Sequence, residues 1–278
     1  MNLLFLVICF ISCCLGYSEE GKISILQTSN DALHEIEIFT QKSEKENAPF
    51  LLFLHGAASD NGLSSIARSW YDYWVNKGYH VGAISMPGYG KSSGPKDFCG
   101  PLTMSVLNYA VDAMKKAYGI SSIGMIGFGQ GGQAGLLLAA QRDDIRCLVC
   151  SNGGYDLLRH LHPEDSLMQT LISKNYALGI NEEEFKIRSP IEQISLINSP
   201  VFILHRDANP IIHVDEITDF AKAMTLVGKE CIVSILPKSP EADVQKISYQ
   251  EILQETERWV DTKMNLFVPV PVSVPLPD

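Results

Sequence analysis

The residues of this chain best suited to chemistry fall in three short stretches. Leu54-His55-Gly56-Ala57 ends an apolar run and sets an imidazole beside small residues. Gly127-Phe128-Gly129-Gln130-Gly131-Gly132 follows a second apolar run and leads into a third. A glycine-rich turn that opens a helix gathers unpaired N–H groups at the positive end of the helix dipole, a device that holds an anion or a polarised carbonyl oxygen. His205-Arg206-Asp207-Ala208-Asn209-Pro210 sets a base, a cation and a carboxylate at the end of another run. Acyl transfer would need such stretches to supply a nucleophile, a base within hydrogen-bond reach of it, and an acid behind the base.

The supply of bases is uneven along the chain. The seven histidines are His34, His55, His80, His160, His162, His205 and His213, so none follows His213. His160 and His162 stand in a polar stretch and read as a solvated loop, since no third ligand accompanies them for zinc. Four cysteines remain once the first 16 residues are set aside: Cys99, Cys147, Cys150 and Cys231. Cys147 and Cys150 lie in one strand-like run and would face opposite sides of it. Buried free thiols are therefore expected, with disulfides as the alternative in an oxidising compartment, and no metal site is expected.

The elements that must position these groups alternate. Of the 278 residues, 46% are hydrophobic and 19% charged, which suits a globular domain and excludes a disordered or fibrous chain. Lysine and arginine number 22 against 32 acidic residues, a net charge of −10, so a nucleic-acid partner is excluded. Strands are expected over 22–27, 34–41, 50–55, 80–85, 123–128, 146–150, 201–205 and 231–236. Helices are expected over 63–77, 103–118, 133–141, 214–227 and 248–262, with Leu63, Ile66, Trp70 and Trp74 as a core-facing stripe in the first. Glu182-Glu183-Glu184 reads as an exposed helix start. Such alternation implies an α/β fold: a mainly parallel, doubly wound sheet with helices on both faces. A small helical cap is expected at about 153–190.

The ends read differently. Residues 3–14 form an apolar core too short to span a bilayer, with small residues Cys14 and Gly16 before a possible cut at Tyr17. The expectation is a signal peptide over 1–16 and a protein secreted or held in the secretory pathway, with no stable membrane span after cleavage. A retained anchor is the alternative. The domain proper would run over 17–266, followed by a proline-rich tail over 267–278.

The three stretches, with Ser85-Met86-Pro87-Gly88-Tyr89-Gly90-Lys91-Ser92, resemble the α/β-hydrolase fold superfamily over about 22–263, near its dienelactone-hydrolase and prolyl-peptidase branches. The resemblance implies that Ala57 and Gln130 supply the two oxyanion amides. It places the nucleophile at Gly129, which has no side chain to attack with. It places the acid at Asn209, which carries no charge, with Asp207 two residues away. It places the base in the loop 238–243, which holds no histidine. The glycine-rich stretch also resembles a dinucleotide fingerprint. That motif expects a carboxylate about 20 residues on, whereas the next strand ends in Cys150-Ser151-Asn152-Gly153, so no cofactor is expected. The sequence thus points to a non-catalytic pseudoenzyme that binds a small carbonyl or carboxylate ligand or a protein partner. The alternative is a weak serine-hydrolase-like esterase or peptidase with a non-standard set such as His55 with Asp207.

Overall fold

Phe50–Leu54 is buried at every position, as a strand must be when helices cover both faces of its sheet. The computed structural model describes residues 21–27, 35–161, 166–176, 178–179, 181–236 and 242–265. The expected signal segment, the proline-rich tail, His34, His162 and the turn directly after the last strand lie outside the described residues.

Eight strands form one sheet: β1 (Lys22–Gln27), β2 (Glu35–Gln41), β3 (Phe50–Leu54), β4 (His80–Ile84), β5 (Ile123–Phe128), β6 (Ile145–Ser151), β7 (Val201–Arg206) and β8 (Cys231–Leu236). Their order across the sheet is β1-β2-β4-β3-β5-β6-β7-β8. β1 and β2 pair antiparallel, as do β2 and β4, and every pairing from β4 through β3 to β8 is parallel. The mainly parallel sheet expected from the alternation is therefore present.

Helices α1 (Arg68–Asn76), α2 (Pro101–Tyr118), α3 (Gln130–Ala139), α6 (Val214–Leu226) and α7 (Ala242–Asn265) supply the two covering layers. Val201 and Ile203 of β7 join one core with residues of α2, α3 and α6; Phe202 and Leu204 join the other, with Trp74 of α1 and Val260 of α7. Cys150 and Cys147 divide between the same two cores, and all four described cysteines are free thiols.

The single helix expected over 63–77 is two pieces. Gly62–Ser65 is a turn of 3₁₀ helix, Ile66 and Ala67 are extended, and only then does α1 begin. The break has a cause: the Leu63 amide donates to the Ser85 hydroxyl at 2.9 Å, which fixes the first turn to the end of β4. Ser85 in turn donates to buried Glu37 at 2.7 Å.

Between β6 and β7 lie a 3₁₀ turn (Leu157–Leu161), α4 (Ser166–Asn175), α5 (Glu182–Lys186) and a second 3₁₀ stretch (Pro190–Leu196). α5 is capped by Asn181, whose Oδ1 accepts from the Glu184 amide at 3.0 Å, and its acidic first turn suits the dipole. His160 is not solvated as expected; it is buried, with Nε2 3.1 Å from Glu216. Glu216 is itself buried and also accepts from the amides of Tyr155 and Asp156 at 2.7 and 3.0 Å. A buried carboxylate must find donors, and the imidazole is one of three.

His55 fastens two strand ends. Its Nε2 accepts from the Met86 amide at 2.9 Å, so Nδ1 carries the proton and donates to the Gly56 carbonyl at 2.8 Å. Burial pulls the imidazole down to about 4, against the weaker upward influences of that carbonyl and of Glu37.

Two outcomes follow from this packing. Trp74 is fully buried and its indole N–H meets no acceptor among the described residues. Trp74→Ala should cost about 3–5 kcal/mol in urea unfolding, and Trp74→Phe roughly half of that, because the smaller ring still fills most of the site and an orphan donor is removed. His55 binds its proton less readily in the folded protein than at its ordinary value of 6.5. Its contribution to stability is therefore complete above that pH and is lost as the pH falls towards 4, by about 3 kcal/mol. His55→Gln should make the fall in stability over this window shallower. A remaining slope is expected, since burial also lowers His80 and His205.

Candidate functional site

The site is assembled by backbone contact. Leu54 of β3 lies in register with Gly127 of β5, so the loops that leave these strands emerge side by side. α3 then packs against them without side chains between. A methyl group at Gly131 would stand 2.2 Å from the Leu54 carbonyl oxygen, and one at Gly127 would stand 2.4 Å from the Gly131 carbonyl oxygen. Only glycine allows this approach.

Gly129 occupies the turn itself, at φ 51° and ψ −119°. Its amide donates to the Ser151 carbonyl at 2.7 Å, and its own carbonyl accepts from Gly132 and Gln133 at 2.9 and 3.2 Å. The strained strand-to-helix turn is thus intact. A side chain at this position would enter open space, its Cβ 3.7 Å from the Gly56 Cα as the nearest heavy atom. Gly129 itself brings no side chain to this space.

The amides of Ala57 and Gln130 flank this turn, and no backbone acceptor among the described residues takes either one. They border a cavity of about 610 Å³. Trp70 and Phe128 meet edge to face at 5.5 Å on one side, Met168 and Leu171 of α4 form the roof, and Ile211 and Ile212 close the far end. None of the described residues that border the cavity has an ionisable side chain, and the hydroxyl of Ser65 there donates to the Gly62 carbonyl at 2.7 Å.

The remaining candidates are committed elsewhere. Asn209 reaches the cavity, but its Oδ1 accepts from the amides of Ile211 and Ile212 at 2.9 and 3.1 Å, so it shapes its own turn. Asp207 is exposed and ties β7 to β8 through its amide, which donates to Leu236 at 3.0 Å. Both nitrogens of His55 are used in the clamp described above, so the structure does not bring His55 and Asp207 together as a base and acid. His205 is fully buried in β7, and burial holds it below its ordinary value, against the weaker upward influences of Glu216 and the Ile212 backbone. No described histidine borders the cavity. Among the described residues no group of three or more His, Cys, Asp and Glu side chains could hold a metal.

Three contributors carry no signal in the local sequence. Trp70 reads as part of a core stripe, yet it is the member that turns to the cavity while Trp74 goes to the core. Met168 and Leu171 become visible as a roof only when α4 is placed over the sheet. The Gln130 side chain meets two phenols distant in sequence: its Oε1 lies 3.0 Å from the Tyr89 hydroxyl and 3.1 Å from that of Tyr176, and the two hydroxyls are 2.6 Å apart, so two phenolic protons serve three contacts. Burial pushes Tyr89 up to about 12 and raises Tyr176 as well, so both keep their protons.

With this geometry in hand, the likenesses to known proteins are specific about fold. A family profile described as alpha/beta hydrolase fold matches residues 49–178. A search of curated proteins returns no match. The acylaminoacyl peptidase of Pyrococcus horikoshii in its orthorhombic crystal form shares 17% identity at a TM-score of 0.72, covering 89% of this chain and 42% of that one. The chain thus spans less than half the length of that peptidase. A Pyrococcus furiosus esterase shares 16% identity at a TM-score of 0.67, covering 87% of this chain and 92% of its own. Thermogutta terrifontis esterase 2, in a structure phosphonylated by sarin, shares 14% identity at a TM-score of 0.67, covering 88% and 96%. The sheet order, the glycine-built turn between β5 and α3, and these likenesses agree: this chain has the α/β-hydrolase fold.

Proposed function

We propose that this protein is a non-catalytic member of its fold that binds a small molecule with a carbonyl or carboxylate group in the cavity beside Gly129. One observation carries the reading. The amides of Ala57 and Gln130, which no described backbone acceptor takes, belong to residues that border the cavity, while none of the described side chains that border it is a base or an acid and its serine hydroxyl is committed to the Gly62 carbonyl. Attack on a carbonyl needs an activated nucleophile. Binding needs only donors and an apolar wall, both of which are present. A cavity of about 610 Å³ falls among small-molecule sites, which favours a small ligand over a protein segment.

The fold neighbours sharpen the contrast. One of them is a phosphonylated esterase, a state that requires an attacking atom. On the present reading Gly129 stands where this chain would need such an atom and offers none.

Purified protein should therefore take no label from a fluorophosphonate probe and should not turn over activated short-chain esters. Covalent labelling, or a burst of product equal to the protein concentration, would overturn the reading. Gly129→Ser has room for its side chain, but any residue other than glycine at this φ costs about 1–3 kcal/mol. That variant should melt at a lower temperature and remain inactive, because no described residue that borders the cavity is a base. Robust turnover by Gly129→Ser would mean that a base reaches the turn after all.

A further inference from the structure

We infer that the cavity selects the carboxylate form of an apolar ligand over its ester, and that the Gln130 side chain makes the selection. This rests on the reading of the cavity as a ligand site. A helix start alone would not carry it, since such a terminus suits many anions. The second observation is the side chain of the first residue of α3. Gln130 is only 7% exposed, and it borders the cavity. The hydroxyls of Tyr89 and Tyr176, themselves 2.6 Å apart, hold its Oε1. A carboxamide is planar, so fixing the oxygen on one side turns Nε2 to the other. Nε2 has no acceptor among the described residues and is not sealed from the cavity. An amide N–H without a protein acceptor is open to a ligand oxygen.

On this inference three donors serve one end of the cavity: the Ala57 amide, the Gln130 amide and Gln130 Nε2. A single carbonyl oxygen has two lone pairs, whereas a carboxylate offers about four acceptor sites over two oxygens. The carboxylate can therefore use all three donors. Its charge is favoured by the positive end of α3, and no acidic side chain borders the cavity to repel it. No lysine or arginine borders it either, so the site suits one negative charge and not a phosphate. The rest of the ligand meets Trp70, Phe128, Met168, Leu171 and Ile211, which call for an aromatic or branched apolar body. Tyr176 follows directly on α4, so the roof of the cavity also sets the orientation of its selecting donor.

The test is titration calorimetry of the full chain at about pH 7, where a carboxylic acid is ionised, with phenylbutyrate, its methyl ester and phenylbutanol. Phenylbutyrate should bind about tenfold more tightly than the ester. Gln130→Met keeps the volume and removes the donor; it should weaken phenylbutyrate about tenfold and leave the ester within about twofold. If circular dichroism shows that this variant does not fold, Tyr89→Phe with Tyr176→Phe frees the carboxamide without altering it, and should likewise reduce the preference for the acid. Equal binding of the three probes, tighter binding of the alcohol, or a preference for the acid that survives loss of the donor or of its tyrosine supports would overturn the inference and leave the cavity reading standing. Binding of none of the probes to the unmodified chain would overturn both.

Discussion

The backbone of α3 rests on the backbone of β3 and β5, and the geometry of the site descends from that contact. Gly127 and Gly131 bring the helix so near that no Cβ fits between helix and strand. The first turn of the helix is thereby aimed at the loop after β3. Had any of these residues carried a side chain, the helix would stand further out from the loop after β3. The parallel pairing of β3 with β5 sets the depth of the site, and the absence of atoms at the glycines sets its width. Both are properties of the chain backbone, so the arrangement depends little on which side chains border it.

Around this contact several buried polar groups are matched inside the protein. Glu37 receives the Ser85 hydroxyl and the Lys91 amide. Glu216 receives two amides and faces His160. Buried Arg188 donates to the carbonyls of Asp97 and Glu184 and accepts, through its own carbonyl, from Gln133. These bonds join the short helices between β6 and β7 to α3, to α6 and to the loop before α2. Each group would be costly to bury alone. Satisfied as they are, they hold the roof over the sheet and keep the cavity in shape without a ligand, so little ordering remains to be done on binding.

The sheet was legible in the sequence because its signals are local. Phe50–Leu54 announces a doubly covered strand, and the glycine spacing at 127–132 announces a close turn whether or not the central residue is serine. The absences were equally plain: Gly129 and Asn209 are read directly. What could not be read is what depends on distant partners. Nothing near His160 discloses that Glu216, 56 residues away, will bury it. Nothing near Gln130 discloses Tyr176, 46 residues away. The break between Ser65 and Arg68 was invisible for the same reason, since apolar residues keep helical spacing across it and a hydroxyl from β4 decides the outcome. Periodicity records which face a residue takes, and it is silent on which polar group waits there.

The open side of Gly129 has an evolutionary corollary. Any other residue at this turn would sit in a conformation that only glycine tolerates at ease, so glycine leaves the turn in its least burdened form. On the reading proposed above, a path to catalysis would begin by loading the turn with a side chain, with no benefit until an acid and a base arrived as well. Selection that acts one substitution at a time would see the first step only as a loss. On that reading the glycine works as a ratchet: it steadies the fold and holds the cavity to binding.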